Sequence, residues 1–239
     1  MTPLELRRDS GCVMRVGHRG AAALAPENSL EAIEVASSYG IDAVELDVVV
    51  RGDGALVLAH GPEVPSAAPL LDDALALAGQ LGLAVQLDVK ARGTEAGVVD
   101  ALRRSGVLER SFVSSSSLPV LRTLAALEPE LPRSFTYPED RLGVAESRLL
   151  RPAVRSSLMV LRALLPFRLP GLLRAVGARA ATLNSAVVTP AAVAACHAVG
   201  AAVYVWTVND PELARTLVER NIDGIIGDDP RILGPLRRT

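Results

Sequence analysis

The chain has 239 residues, of which 49% are hydrophobic and 3% aromatic, and a formal net charge of −2. That is enough apolar side chain for a sizeable core of Ala, Leu and Val, and the charge gives no electrostatic case for binding nucleic acid. Residues 1–12 lack the apolar run of a signal peptide and no stretch reads as a membrane span, so a soluble, cytoplasmic protein is expected.

In chain order, strands are predicted at residues 13–16, 43–50, 83–90, 111–115, 133–137, 180–183, 201–207 and 224–226. Helices are predicted between most of them, at 29–39, 70–78, 95–105, 118–127, 190–199 and 211–219. Asn28, Thr189 and Asp210 read as helix caps, with Pro190 and Pro211 at the first helical position. Gly52-Asp53-Gly54 reads as a hairpin turn. About eight strand–helix repeats in a chain of this length argue for a closed parallel barrel, with an open doubly wound sheet as the alternative. The expected fold class is therefore α/β, a single (β/α)8 TIM barrel over residues 1–239 with its active site at the C-terminal mouth of the strands.

The scarce residue types fall where such a barrel keeps its chemistry. The chain has 3 histidines. His18 follows the first strand and His60 follows a short apolar run. Glu45 and Asp47, two apart on the second strand, point to one face. Two acids held together repel, and a cation offsets that repulsion. Gln86, Asp88 and Lys90 share a face of the third strand, so that face belongs at the barrel mouth and supplies a third carboxylate. Lys90 is the single lysine in a chain otherwise reliant on arginine, which suggests a position needing a compact ammonium. The set reads as one metal ion flanked by two proton-transfer groups.

These residues carry a resemblance. Gly17-His18-Arg19-Gly20, Pro26-Glu27-Asn28-Ser29-Leu30 and Glu45-Leu46-Asp47-Val48 begin it. His60, Leu87-Asp88-Val89-Lys90, Trp206-Thr207-Val208-Asn209 and Asp223-Gly224-Ile225-Ile226-Gly227-Asp228 complete it. In order and spacing the chain resembles the glycerophosphodiester phosphodiesterases over nearly its whole length. The resemblance implies a divalent cation, Mg²⁺ or Ca²⁺, held by Glu45, Asp47 and Asp88. It also implies acid–base catalysis by His18 and His60, and phosphate neutralisation by Arg19 and Lys90. Trp206 would form an apolar pocket wall, while Glu27 and Asn28 would shape the first loop and cap its helix.

Three departures bear on substrate choice. Gly61 stands where the family usually has an acid after the second histidine. Asp88 replaces the usual glutamate, as in the related sphingomyelinase D-like phospholipases. The small insert that usually follows the second histidine is largely missing, since Gly61 leads through Pro62, Pro65 and Pro69 almost directly to Leu70.

Residues 139–179 combine arginines with apolar runs such as Leu158-Met159-Val160-Leu161. One reading is peripheral contact with a membrane. The plainer reading, which we prefer, is an elaborated barrel helix and loop with leucines on the core, because prolines and glycine break a long amphipathic face. His197 reads as structural, Asp228 as a loop or cap residue in preference to one reaching the mouth, and Ser114 to Ser117 as a strand end and helix cap. Cys12 and Cys196 are two ordinary thiols.

The leading expectation is metal-dependent hydrolysis of a glycerophosphodiester to an alcohol and glycerol 3-phosphate, with a small-molecule glycerophosphodiester or a lysophospholipid head group as the partner. The alternatives are lysophospholipase D-like cleavage with a cyclic phosphate product and a barrel that binds a phosphodiester without turnover.

Overall fold

The computed structural model describes residues 4–9, 12–61, 63–138 and 151–236, with only the backbone of 151–157. Eight parallel strands close on themselves: β1 (Met14–His18), β2 (Ala43–Val50), β4 (Ala84–Val89), β5 (Ser111–Ser115), β6 (Arg133–Tyr137), β7 (Ala180–Asn184), β8 (Ala202–Trp206) and β9 (Gly224–Gly227). The pairing of β1 with both β2 and β9 completes the ring, so the closed barrel is borne out over the open sheet. The short β3 (Leu56–Leu58) folds back antiparallel on β2 through the expected turn at Gly52-Asp53-Gly54. Its role is to bring His60 to the mouth.

Helices α1 (Leu30–Ser38), α2 (Leu71–Gln80), α3 (Glu95–Ser105), α4 (Leu118–Leu127), α5 (Arg151–Ala175), α6 (Pro190–His197), α7 (Pro211–Glu219) and α8 (Pro230–Leu233) follow barrel strands in turn. Their inner faces pack Ile33, Leu75, Leu102, Leu121, Leu169 and Leu217 against the outward valines and leucines of the barrel. Thr189 and Asp210 cap α6 and α7 as expected. Asn28 does not cap α1: Ser29 does, accepting from the Ala32 amide, and Asn28 sits instead at a φ of 56°. Helix α5 runs unbroken through Pro166 and Pro170, where the sequence suggested interruption. Its leucines at 165, 169 and 173 are buried on the core as the plainer reading expected, while Met159, Val160, Leu164 and Phe167 are exposed. The segment 139–150 lies outside the described residues. No helix among the described residues is long and apolar enough to cross a membrane.

The barrel interior has two halves along its axis. At the N-terminal end Met14, Val16, Phe112, Tyr204 and Ile226 form an apolar plug, sealed from below by Leu4 and Leu6. The Phe112 and Tyr204 rings lie 5.2 Å apart, and the Tyr204 hydroxyl donates to the Leu6 carbonyl. Above the plug every inward position on β4 to β7 is polar, which leaves the mouth open for chemistry.

Gly224 is required by this plug. A Cβ there would lie 2.3 Å from the Tyr204 ring, itself fully buried. Overpacking of this kind costs about 1–3 kcal/mol or more where the neighbour cannot move. Gly224→Ala is therefore expected to lower the urea-unfolding free energy by at least that much, and an unchanged midpoint would show that the plug is loosely packed.

Candidate active site

The registers of β1, β2 and β4 assemble the site. His18 is paired with Glu45, Glu45 with Gln86, and Asp47 with Asp88, so side chains adjacent across the sheet all point inward at the C-terminal end. Oxygens of Glu45, Asp47 and Asp88 lie within 4.8 Å of one another, and all three residues are buried. The cavity they border has a volume of about 790 Å³ and is also lined by His18, Arg19, His60, Lys90 and Trp206. Every residue singled out from the sequence as catalytic, substrate-binding or metal-ligating thus lines one cavity.

The cations are distributed among these acids. Lys90 Nζ lies 2.9 Å from Asp47 Oδ1 and also bonds Asp88 Oδ2. Arg19 donates its backbone N–H to Glu45, places its Nε 3.1 Å from Asp47, and pairs with Glu27 at 2.6 Å. Glu27 thus orients Arg19, a more specific role than shaping the loop. Asn28 donates from Nδ2 to Asp47 Oδ2 and accepts the Asp47 backbone N–H, both at 3.0 Å. Its left-handed backbone conformation, which asparagine tolerates, turns the side chain to the acid. A residue expected to cap a helix instead holds a candidate metal ligand.

The histidines each rest on a carboxylate. His18 Nδ1 lies 2.6 Å from Asp228 Oδ1, while its Nε2 is 3.9 Å from Glu45. Asp228 also accepts from Asn209 Nδ2, and its backbone N–H donates to Asn209 Oδ1. This corrects the reading of Asp228 as a loop or cap residue. It is Asp229 that caps α8. His60 Nδ1 is 3.0 Å from Asp47 Oδ2, so His60 has a carboxylate partner although Gly61 follows it. The third histidine, His197, contacts the buried Asp223 at 2.8 Å beyond the cavity and is structural, as expected. Ser114 is not merely a strand end, since its hydroxyl donates to Asp88 Oδ1 at 2.7 Å.

Burial and charge set the protonation of these groups. Burial, then repulsion from Asp47, pushes the Glu45 carboxyl up to about 7. Burial also acts against ionised Asp47, but the hydrogen bond from His60 and the charges of Lys90 and Arg19 hold it well below the usual carboxylate range. Lys90 is likewise opposed by burial, and Asp88 and Asp47 raise it well above the usual lysine value. His18 is raised despite burial, through its bond to Asp228 and the charge of Glu45. Three buried oxygen donors, one of them ionised only at a price in repulsion, suit a hard divalent cation.

The chain is similar to known proteins over nearly its whole length. The sequence profile of the glycerophosphoryl diester phosphodiesterase family matches residues 18–81 and 98–232. A glycerophosphodiester phosphodiesterase of Caldanaerobacter subterraneus subsp. tengcongensis is 24% identical over 255 residues, covering 91% of this chain and 95% of the relative. A glycerophosphodiester phosphodiesterase structure from Parabacteroides distasonis superposes with a TM-score of 0.73 at 20% identity, covering 93% of this chain and 95% of that one. An Oleispira antarctica phosphodiesterase in complex with the product sn-glycerol-3-phosphate gives 0.71 at 21% identity, covering 93% and 96%. The two structures establish a shared fold.

The raised Glu45 carboxyl has a consequence for stability. Its value is about 7 in the folded chain against 4.5 for an unperturbed glutamate. Between those values the folded state binds more protons than the unfolded state, so the stabilising contribution is lost as pH rises through 7. In the presence of chelator, Glu45→Gln is expected to raise the denaturation midpoint relative to wild type at pH 8 and to do so less at pH 5. Parallel pH curves for the two proteins would contradict this.

Proposed function

The chain belongs to the glycerophosphoryl diester phosphodiesterase family, and from that premise we propose that it hydrolyses glycerophosphodiesters to an alcohol and glycerol 3-phosphate with a carboxylate-held divalent cation. It is a phosphoric diester hydrolase, a class of enzyme to which the third expectation, a barrel without turnover, does not belong. The observation that carries the finer reading is the meeting of both candidate histidines with all three acids at one cavity.

Glu45, Asp47 and Asp88 would hold Mg²⁺ or Ca²⁺, since all are hard oxygen donors on three adjoining positions of the wall. When bound, the cation supplies positive charge to the phosphoryl oxygens. Arg19 and Lys90 supply more, from side chains already fixed by Glu27, Asp47 and Asp88, so that no reorganisation is needed as charge builds. With Nδ1 of His18 on Asp228 and Nδ1 of His60 on Asp47, the Nε2 atoms are left for proton transfer. One takes a proton from the attacking oxygen; the other gives one to the oxygen of the leaving alcohol as its bond to phosphorus breaks. Asp228 holds the His18 ring in the tautomer with Nδ1–H and favours its protonated form.

A second reading, lysophospholipase D-like cleavage giving a cyclic phosphate, rests on the exposed patch of α5. Phe167 is 83% exposed, and Met159, Pro166 and Phe167 lie beside Thr189 and Ala191, just past the end of β7 at the mouth. Such a patch among arginines fits contact with a lipid surface.

His18→Ala is expected to lower kcat by about 10²–10⁴-fold with the fold retained by circular dichroism. Chelator is expected to abolish turnover and Mg²⁺ or Ca²⁺ to restore it. Mass spectrometry of products from soluble glycerophosphodiesters and vesicle-borne lysophospholipids separates the readings. Glycerol 3-phosphate supports hydrolysis, and failure to cleave any lipid-tailed substrate removes the second. Full activity in His18→Ala would sink the mechanism.

A further inference from the structure

Helix α5 carries apolar side chains on both of its faces. Leu165, Leu169 and Leu173 are buried against the barrel, whereas Met159, Val160, Leu164 and Phe167 are exposed. With 3.6 residues per turn, Val160, Ala163, Leu164 and Phe167 fall on the side away from those leucines. A helix laid against a barrel ordinarily turns polar residues outward. The other exposed large hydrophobics, such as Tyr39, Leu81 and Leu127, are scattered along the chain, while these four fall within about two and a half turns. Of the 3 phenylalanines, Phe112 and Phe135 are buried and Phe167 is 83% exposed. Between Phe167 and the start of α6 lies a shallow groove lined also by Met159, Ala163, Pro166 and Ala191. A contiguous exposed apolar patch of this kind marks an interaction site.

The charge around this patch has one sign. From Arg151 to Asn209, through α5, β7, α6 and β8, the chain has no Asp or Glu, although it has 27 acids in all. The same stretch holds Arg151, Arg155, Arg162, Arg168, Arg174 and Arg179. Arg162 borders the groove, Arg168 follows Phe167 directly and is exposed, and the exposed Arg174 stands two turns beyond Phe167 on the same side. Arg168 and Arg174 form no ion pair among the described residues. Helices α5 and α6 lie side by side, so positive charge gathers on one flank of a chain whose net charge is −2.

Apolar and cationic groups together select the occupant. A second copy docked face to face would set arginine against arginine, with no carboxylate on α5 to relieve the repulsion. A bilayer with anionic head groups answers both features, since its acyl chains receive the apolar side chains and its phosphates pair with the arginines. Thr189 and Ala191 of the groove sit where α6 begins after β7, at the end of the barrel that holds the acids. We propose that the outward face of α5 docks on an anionic phospholipid surface with Phe167 as its anchor, holding the barrel mouth beside that surface. Such docking is independent of which phosphodiester is cleaved and of the product formed, and so goes beyond the lipid contact of the second reading.

The test is flotation of the full chain with vesicles, in chelator so that no turnover intervenes. Vesicles of phosphatidylglycerol and phosphatidylcholine in equal parts are compared with phosphatidylcholine alone. Wild type is expected to bind the anionic vesicles at least about 10-fold more tightly and to be released by high salt. Phe167→Ser is expected to weaken that binding at least about 5-fold, and Arg168→Gln about 5-fold. Both variants should keep the wild-type circular dichroism and the wild-type turnover of a soluble glycerophosphodiester. Equal binding to the two vesicle types would overturn the proposal, as would no binding, or unchanged binding in either variant. A dimer in light scattering that Phe167→Ser splits would give the face to a second copy and overturn it too. Because binding is read without turnover, failure of the phosphodiesterase reading leaves this test intact.

Discussion

The arrangement depends on the crowding of three buried carboxylates where β2 and β4 run side by side. In-register pairing sets Asp47 beside Asp88, and the two-residue period of β2 puts Glu45 on the same face. Left alone, such a cluster would repel itself out of the fold. The neighbouring residues answer that repulsion: Lys90 bridges two of the acids, Arg19 reaches Glu45 and Asp47, and Asn28 and Ser114 donate to Asp47 and Asp88. Of these contacts Glu45 receives the one from Arg19, and burial, then repulsion from Asp47, still raises its carboxyl. A divalent cation is the natural counterpart to that residue of negative charge.

The same crowding organises the proton-transfer groups. His60 is held by Asp47, one of the acids, and the hairpin of β2 and β3 is what carries it there. His18 is next to Glu45 in register but is anchored from the other side by Asp228 at the end of β9. The strand that closes the barrel therefore also orients a candidate catalytic histidine. Asn209, just past β8, fixes Asp228 in turn. The ring closure and the chemistry are thus coupled through a short chain of hydrogen bonds.

Much of this was legible in sequence because it is local. Strand parity alone placed Glu45 with Asp47, and Gln86 with Asp88 and Lys90, on inward faces. Strand–helix alternation gave the barrel, and the turn at Gly52-Asp53-Gly54 gave the hairpin. What escaped depends on distant pairing. Asp228 is 210 residues from His18, and nothing near it in the chain marks it as a partner. Asn28 precedes a helix in a position where asparagine usually caps, and only the left-handed backbone turns it toward Asp47. Ser114 looked like a strand end because its partner Asp88 lies on the neighbouring strand. The continuity of helix α5 was not legible, since Pro166 and Pro170 weaken the local helical signal, while burial of Leu165, Leu169 and Leu173 on the core overrides it.

The central claim is that Glu45, Asp47 and Asp88 form one divalent-cation site, and binding of Mn²⁺ followed by electron paramagnetic resonance tests it without recourse to activity. The account predicts one ion per chain in wild type, competed by Mg²⁺ or Ca²⁺, with affinity reduced about tenfold or more in Glu45→Gln and Asp88→Asn. Absence of binding in wild type, or unchanged affinity in both variants, would contradict it.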